Sequence, residues 1–169
     1  MSAAPRKLVA EPLTAGAFAE FGDVVEVRGD NGLINSGTTR YFADLASIDV
    51  AAEGGRPCVN IYRTTPYPLP LPIRMLERHP LGSQLFMPLS GARLLVVVAP
   101  AGVLPERAAV RAFVTNGHQG VNYRRGTWHH PLIALGDTGE FLVIDRAGPG
   151  SNCDEFQFGD TGFELQRPG

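Results

Sequence analysis

Hydrophobic and polar positions along this chain change register every few residues and only once hold a helical period. The runs Val59–Thr64, Gln84–Leu89, Arg93–Ala99, Ala108–Val114, Trp128–Leu135, Phe141–Asp145 and Phe163–Leu165 are β-branched or aromatic and end in turn residues. Strands at that spacing predict a sandwich or barrel. The helical pattern lies within LTAGAFAEFGDVVEV (Leu13 to Val27), with Thr14 as N-cap, an end at Gly22 and a strand to follow. Between Thr64 and Leu76 four prolines stand at alternate or near-alternate positions. Each removes a ladder donor, so this stretch reads as a semi-rigid extended connection. It is not read as a domain boundary, because the strands on both sides need each other for a core. The longest apolar run, Leu94 to Leu104, contains Pro and Gly and is too short to span a bilayer. It predicts a core strand followed by a turn. No internal repeat is evident.

Composition sharpens this picture. At 169 residues and 44% hydrophobic content the chain can fill one core, and a single domain over residues 1–169 is expected. Its Gly 20 and Pro 14 are spread throughout, which favours short elements joined by tight turns and an all-β fold. A formal net charge of −2 with interspersed signs offers no phosphate-tracking stripe, so nucleic acid is not an expected partner. The amino terminus has no apolar h-region, and Cys58 and Cys153 are isolated thiols without metal-type spacing. No secretory signal and no membrane are expected, and the cytoplasm is the expected location.

Candidate chemistry concentrates in two stretches. In the first, Met75 to Gly91, Glu77 and His79 share a face if the backbone is extended, and Gln84 follows five residues later. In the second, GTWHHPL (Gly126 to Leu132), His129 and His130 are adjacent and must point to opposite faces of a strand. The spacing Glu77, His79, Gln84, Gly91 resembles the first cupin motif, H-x-H-x4-E-x6-G, with Glu and Gln in place of two of its ligands. The glycine-to-histidine spacing from Gly126 to His129 resembles the second motif, with Arg124 in the place of its proline. That spacing selects His129 as the pocket-facing histidine.

The fragments INSGTTRYF (Ile34 to Phe42), ERHPLGSQLFMPL (Glu77 to Leu89), GVNYRRGTWHHPL (Gly120 to Leu132) and FLVIDR (Phe141 to Arg146) together resemble the ureidoglycolate lyase family. The resemblance covers nearly the whole chain. It implies a cupin-like β-barrel or double-stranded β-sandwich with one short N-terminal helix, a homodimer, and cleavage of (S)-ureidoglycolate, a small carboxylate, to glyoxylate and urea.

Such a substrate carries a hydroxyl and a ureido nitrogen on one carbon. Carbon–nitrogen cleavage then needs a base for the hydroxyl proton and an acid for the leaving nitrogen. His129 and Glu77 are the candidate pair, with His79 orienting or substituting. Alternatively, some of Glu77, His79, Gln84 and His129 hold a divalent metal such as Ni2+ or Zn2+ that acidifies the hydroxyl. No organic cofactor is expected. Arg40, Arg63 and Arg78 are the candidates for the substrate carboxylate, and Gln84, Asn122 and Tyr123 for further substrate contacts.

Plainer readings stand beside these. His130 reads as structural, Trp128 as core packing, Asp145 with Arg146 as a strand-end ion pair, and Asn35 and Gly37 as turn chemistry. Glu77 and Gln84 can instead be barrel-lining residues bonded to each other. Two other functions compete with the lyase: a metal-dependent cupin oxygenase or isomerase, and a non-enzymatic cupin that binds a small organic acid. The changed residues at 77 and 84 count against the oxygenase.

Overall fold

The computed structural model describes residues 5–169. The chain begins with β1 (Arg6–Leu8), β2 (Glu11–Pro12), α1 (Ala15–Phe18), β3 (Gly22–Val25), β4 (Leu33–Ile34) and β5 (Thr39–Arg40). The central strands are β6 (Arg56–Thr64), β7 (Leu71–Ile73), β8 (Met75–Arg78), β9 (Gln84–Pro88), β10 (Arg93–Ala99) and β11 (Arg111–Val114). Then follow β12 (Gly120–Tyr123), β13 (Trp128–His129), β14 (Ile133–Leu135), β15 (Gly139–Ala147), β16 (Asp154–Gln157) and β17 (Phe163–Leu165).

Two sheets face each other. One has the order β16-β8-β13-β10-β11-β2, with β14 also paired to β10, and the other β3-β12-β9-β15-β6. Between them lie Leu94, Val96 and Val98 of β10, Phe113, Val121, Phe86, Phe141 and Val143. Phe18 and Phe21 close one end of this interior, edge-on to Phe113 at 5.6 and 5.9 Å. A third sheet, β1-β17-β7, covers the outer side of β10, where Leu95, Val97, Ala99, Leu76 and Trp128 meet Ile73, Phe163 and Leu165. Strand β10 is therefore buried on both faces, the reason it reads as a continuous Leu-Val run with no alternation. Each of its valines withdrawn from water contributes roughly 1.5–3 kcal/mol.

The all-β fold with one short helix is as expected, but several boundaries moved. The helix is a single turn capped by the Thr14 hydroxyl, which accepts from Ala17 N at 3.2 Å. It stops early because Gly22 already belongs to β3, where any Cβ would fall 1.9 Å from Asn122 O. The proline-rich stretch is not a plain connection: it contains β7 and the start of β8. Pro72 is tolerated because β7 is the edge of its sheet. The run Trp128–Leu135 splits into β13 and β14 at Pro131, which has no N–H for the ladder. Residues Arg107–Ala109 form a 3-10 turn before β11. Strands β8, β12 and β16 were not read from the sequence. The stretch around Asn35 and Gly37 is the turn of the β4–β5 hairpin, with Gly37 at φ 85.

Candidate functional site

Alternation along β13 sends Trp128 outward and His129 inward. The Trp128 indole donates to Gly102 O at 3.1 Å and carries the Arg78 guanidinium over its ring, while His129 is 1% exposed in the interior. His129 pairs in register with Glu77 of β8, which brings the two side chains onto the same face. His79 follows just past β8, and its ring lies 5.1 Å from that of His129.

The two imidazoles are held alike. His79 Nδ1 donates to Asn152 O at 2.6 Å and His129 Nδ1 donates to Thr127 O at 2.9 Å. A carbonyl can only accept, so each ring carries its proton on Nδ1 and turns Nε2 inward. Neither Nε2 has a hydrogen-bond partner among the described residues. Glu77 Oε1 lies 3.6 Å from His129 Nε2 and 4.0 Å from His79 Nε2. Burial alone would raise the Glu77 pKa, but His129, His79 and His130 together hold it below the usual carboxylate value.

Other walls complete the cleft. Tyr123 stacks on the His129 ring with centroids 4.2 Å apart, and its burial pushes the phenol far above its ordinary range. Gln84 donates from Nε2 to Asp145 Oδ1 at 2.8 Å, while its Oε1 is buried without a partner. Tyr62 OH and Asn60 Nδ2 both donate to the other Asp145 oxygen at 3.3 Å. Tyr62, Arg63, Thr64, Glu77, His79 and Gln84 line a cleft of about 510 Å³. A larger hollow of about 630 Å³ beside the Pro100–Leu104 turn contains no imidazole or arginine.

The structure thus brings together Glu77, His79, His129, Gln84 and Tyr123, with Arg63 at the rim bonded to Glu140. It does not bring Arg40, Arg78 or Asn122 to the cleft. Arg40 pairs with Asp30 on the exposed hairpin, Arg78 with Asp154 and Trp128, and Asn122 bonds Asp23 and Ser47 O on the other face of its sheet. His130 bonds Pro131 O at 2.9 Å, and burial lowers its pKa. Glu77 and Gln84 do not bond each other. Asp145 and Arg146 form no ion pair: neighbours in a strand face opposite ways, and Arg146 instead donates to Ala52 O and Pro149 O. Sequence reasoning missed Asp145, Tyr62 and Asn152. Alternation with Phe141 and Val143 could have placed Asp145 inward, but nothing in the sequence announces the carbonyl that orients His79.

Glu77, His79 and His129 present one oxygen and two nitrogen donors within 4.8 Å of one another. Imidazoles fixed through Nδ1 with free Nε2 atoms, beside a carboxylate, fit a divalent transition metal.

Fold and site define an all-β protein of facing sheets that carries a cluster of two histidines and one carboxylate. Within that class the chain belongs to the ureidoglycolate lyase family, whose sequence profile matches residues 5–165. A ureidoglycolate lyase of Burkholderia mallei (strain NCTC 10229) is 58% identical over 151 residues, covering 89% of this chain and 88% of that protein. Those of Azotobacter vinelandii (strain DJ) and Pseudomonas syringae pv. syringae (strain B728a) are 54% and 53% identical. Each covers 96% of this chain, and the match spans 99% and 96% of their own lengths.

Proposed function

We propose that this protein splits (S)-ureidoglycolate into glyoxylate and urea. The observation that carries the reading is the pair of inward-facing, unpaired imidazole nitrogens beside the depressed carboxyl of Glu77, in a chain of this family.

Glu77, ionised at neutral pH, takes the hydroxyl proton as the carbinol C–O becomes C=O. Glu77 passes that proton to the free His129 Nε2 3.6 Å away. His129 gives it to the nitrogen as the C–N electron pair leaves with that atom, so both residues end as they began. Substrate and products contain the same atoms, so neither water nor a redox partner is consumed. His79 steadies the Glu77 charge, and Tyr123 holds the His129 ring against its stack. Arg63 leaves Glu140 to bind the substrate carboxylate at the rim. In the alternative reading, a divalent ion such as Ni2+ or Zn2+ held by Glu77, His79 and His129 would supply Lewis acidity to the carbinol oxygen in place of that acid–base pair.

The test is to incubate the purified protein with (S)-ureidoglycolate, with and without a chelator, and to quantify glyoxylate, urea and ammonia. Glyoxylate with equimolar urea is expected. Ammonia in place of urea would make the reaction a hydrolysis, and no turnover would leave a binding cupin. Activity lost with the chelator and regained with Zn2+ or Ni2+ assigns the three donors to a metal.

On the same reading the protein is a cytoplasmic homodimer, acting on a small molecule without nucleic acid or membrane. Among the described residues no helix is long and apolar enough to cross a membrane. Val59 and Ile61 on the outer face of β6 are 67% and 56% exposed, and a second copy covering them accounts for that apolar edge. Light scattering checks this: a mass near 18.1 kDa would mean a monomer.

A further inference from the structure

We propose that Asp145 is a positioning residue that fixes which end of the Gln84 amide faces the cleft, and so makes the cleft select a ureido N–H over an isosteric methyl. This rests on the reading of the cleft as a ureidoglycolate site.

The argument is one of donors and acceptors. Strands β9 and β15 pair as far as Leu85 and Ile144, which sets Gln84 and Asp145 side by side at the end of that ladder. Gln84 Nε2 donates to Asp145 Oδ1 at 2.8 Å. The second Asp145 oxygen accepts from Tyr62 OH and Asn60 Nδ2, both at 3.3 Å. A carboxylate has no hydrogen to give, so the Gln84 NH2 must face it. The amide oxygen is thereby turned the other way, and that oxygen is buried with no partner among the described residues. Gln84 lines the cleft together with Glu77 and His79. What enters beside this oxygen has to bring a donor. In ureidoglycolate only the hydroxyl and the ureido nitrogens donate, and with the hydroxyl at Glu77 the ureido end falls to Gln84. The carboxylate end can only accept, and Arg63 stands at the rim for it. A glutamate at position 84 would put two carboxylates in contact, which accounts for an amide in the slot where the first cupin motif carries Glu.

Asp145→Asn makes the inference testable. Asparagine has one acceptor oxygen where the carboxylate has two. Two donors, Tyr62 and Asn60, claim it on one side and only Gln84 on the other. The oxygen of the introduced asparagine therefore goes to the two-donor side and its NH2 meets Gln84, whose amide turns over and directs its own NH2 into the cleft. In the reciprocal exchange, Gln84→Glu with Asp145→Asn, the introduced glutamate accepts from the introduced asparagine and again offers an oxygen to the substrate.

The experiment compares kcat/KM for (S)-ureidoglycolate with that for N-acetyl-2-hydroxyglycine, in which a methyl replaces the terminal NH2. The unaltered protein is expected to prefer the ureido compound by about a hundredfold or more. Asp145→Asn should bring this ratio below about ten, and the double exchange should restore most of it; a merely structural Asp145 would lower both rates together and leave the ratio alone. Independently of turnover, the Gln84 Nε2 protons are expected to exchange with solvent slowly in the unaltered protein and about tenfold or more faster in Asp145→Asn. Fast exchange in the unaltered protein, an unchanged ratio in Asp145→Asn, or a double exchange no better than the single one would overturn the inference. A protein that makes no glyoxylate yet shows slow Gln84 exchange would sink the functional reading while keeping the orientation.

Discussion

Replacing His129 by alanine separates chemistry from packing, because the structure allows both costs to be worked out. The side chain is buried, donates to Thr127 O at 2.9 Å and stacks on Tyr123 at 4.2 Å. Losing the hydrogen bond costs about 1 kcal/mol, and losing the stack about another 1 kcal/mol. A destabilisation of about 2 kcal/mol lowers the melting temperature of a chain this size by roughly 4–8 °C. It leaves the protein folded at 25 °C, since domains retain about 5–15 kcal/mol. Removing a general acid costs about 100- to 10,000-fold in rate, or roughly 3–5 kcal/mol of transition-state stabilisation. The expected result is therefore a variant with a cooperative melt and at most about 1% of the unaltered kcat/KM, read by glyoxylate release. His130→Ala is the control: its ring bonds only the neighbouring Pro131 O, so its melt should shift and its rate should stay within a few-fold. If His129→Ala kept more than a tenth of the activity while His130→Ala lost it, the assignment of the inward nitrogen to proton transfer would be refuted.

Three further outcomes follow from the same geometry. Glu77→Gln should abolish turnover while substrate still binds in equilibrium dialysis; because the fold holds this carboxyl below its usual value of 4.5, Glu77 stabilises the protein above about pH 4.5 and loses that contribution as pH falls through the folded value. An acid melt as early in Glu77→Gln as in the unaltered protein, with no loss of stability at neutral pH, would contradict this. Arg63→Ala should raise KM about tenfold or more with kcat nearly kept, since a rim cation binds ground and transition states alike; a change confined to kcat would place the carboxylate elsewhere. Tyr123→Phe keeps the stack on His129, so activity should fall no more than a few-fold. The buried phenol holds its proton far above its usual 10.0, so the unaltered protein loses stability above about pH 10 as unfolded Tyr123 ionises; the phenylalanine variant should lose less, as alkaline melts can show.

The residues of the site differed widely in how far they could be read in advance. His129 was separated from His130 by strand alternation and motif spacing, both local properties of the backbone. Glu77 and His79 followed from being two apart on an extended segment. Arg40 and Arg78 could not be told from Arg63, because a guanidinium reaches in any direction and only its neighbours decide whether it meets Asp30, Trp128 or the cleft. Asn122 was indistinguishable from Tyr123 until the register of β12 sent one side chain to Asp23 and the other onto His129.

By itself, then, the sequence determined the all-β class, a core strand within Leu94–Leu104, the N-cap at Thr14 and the two stretches that carry the chemistry, because these rest on apolar runs, turn residues and short-range spacing. Tertiary structure alone decided that β8 and β13 lie in register, so that Glu77 meets both imidazoles. It also decided that Asn152 O orients His79 and that Asp145 faces Gln84 rather than Arg146. These are contacts between strands far apart in the chain, and the hydrogen-bond partner each group finds is set by sheet order, which no local pattern encodes.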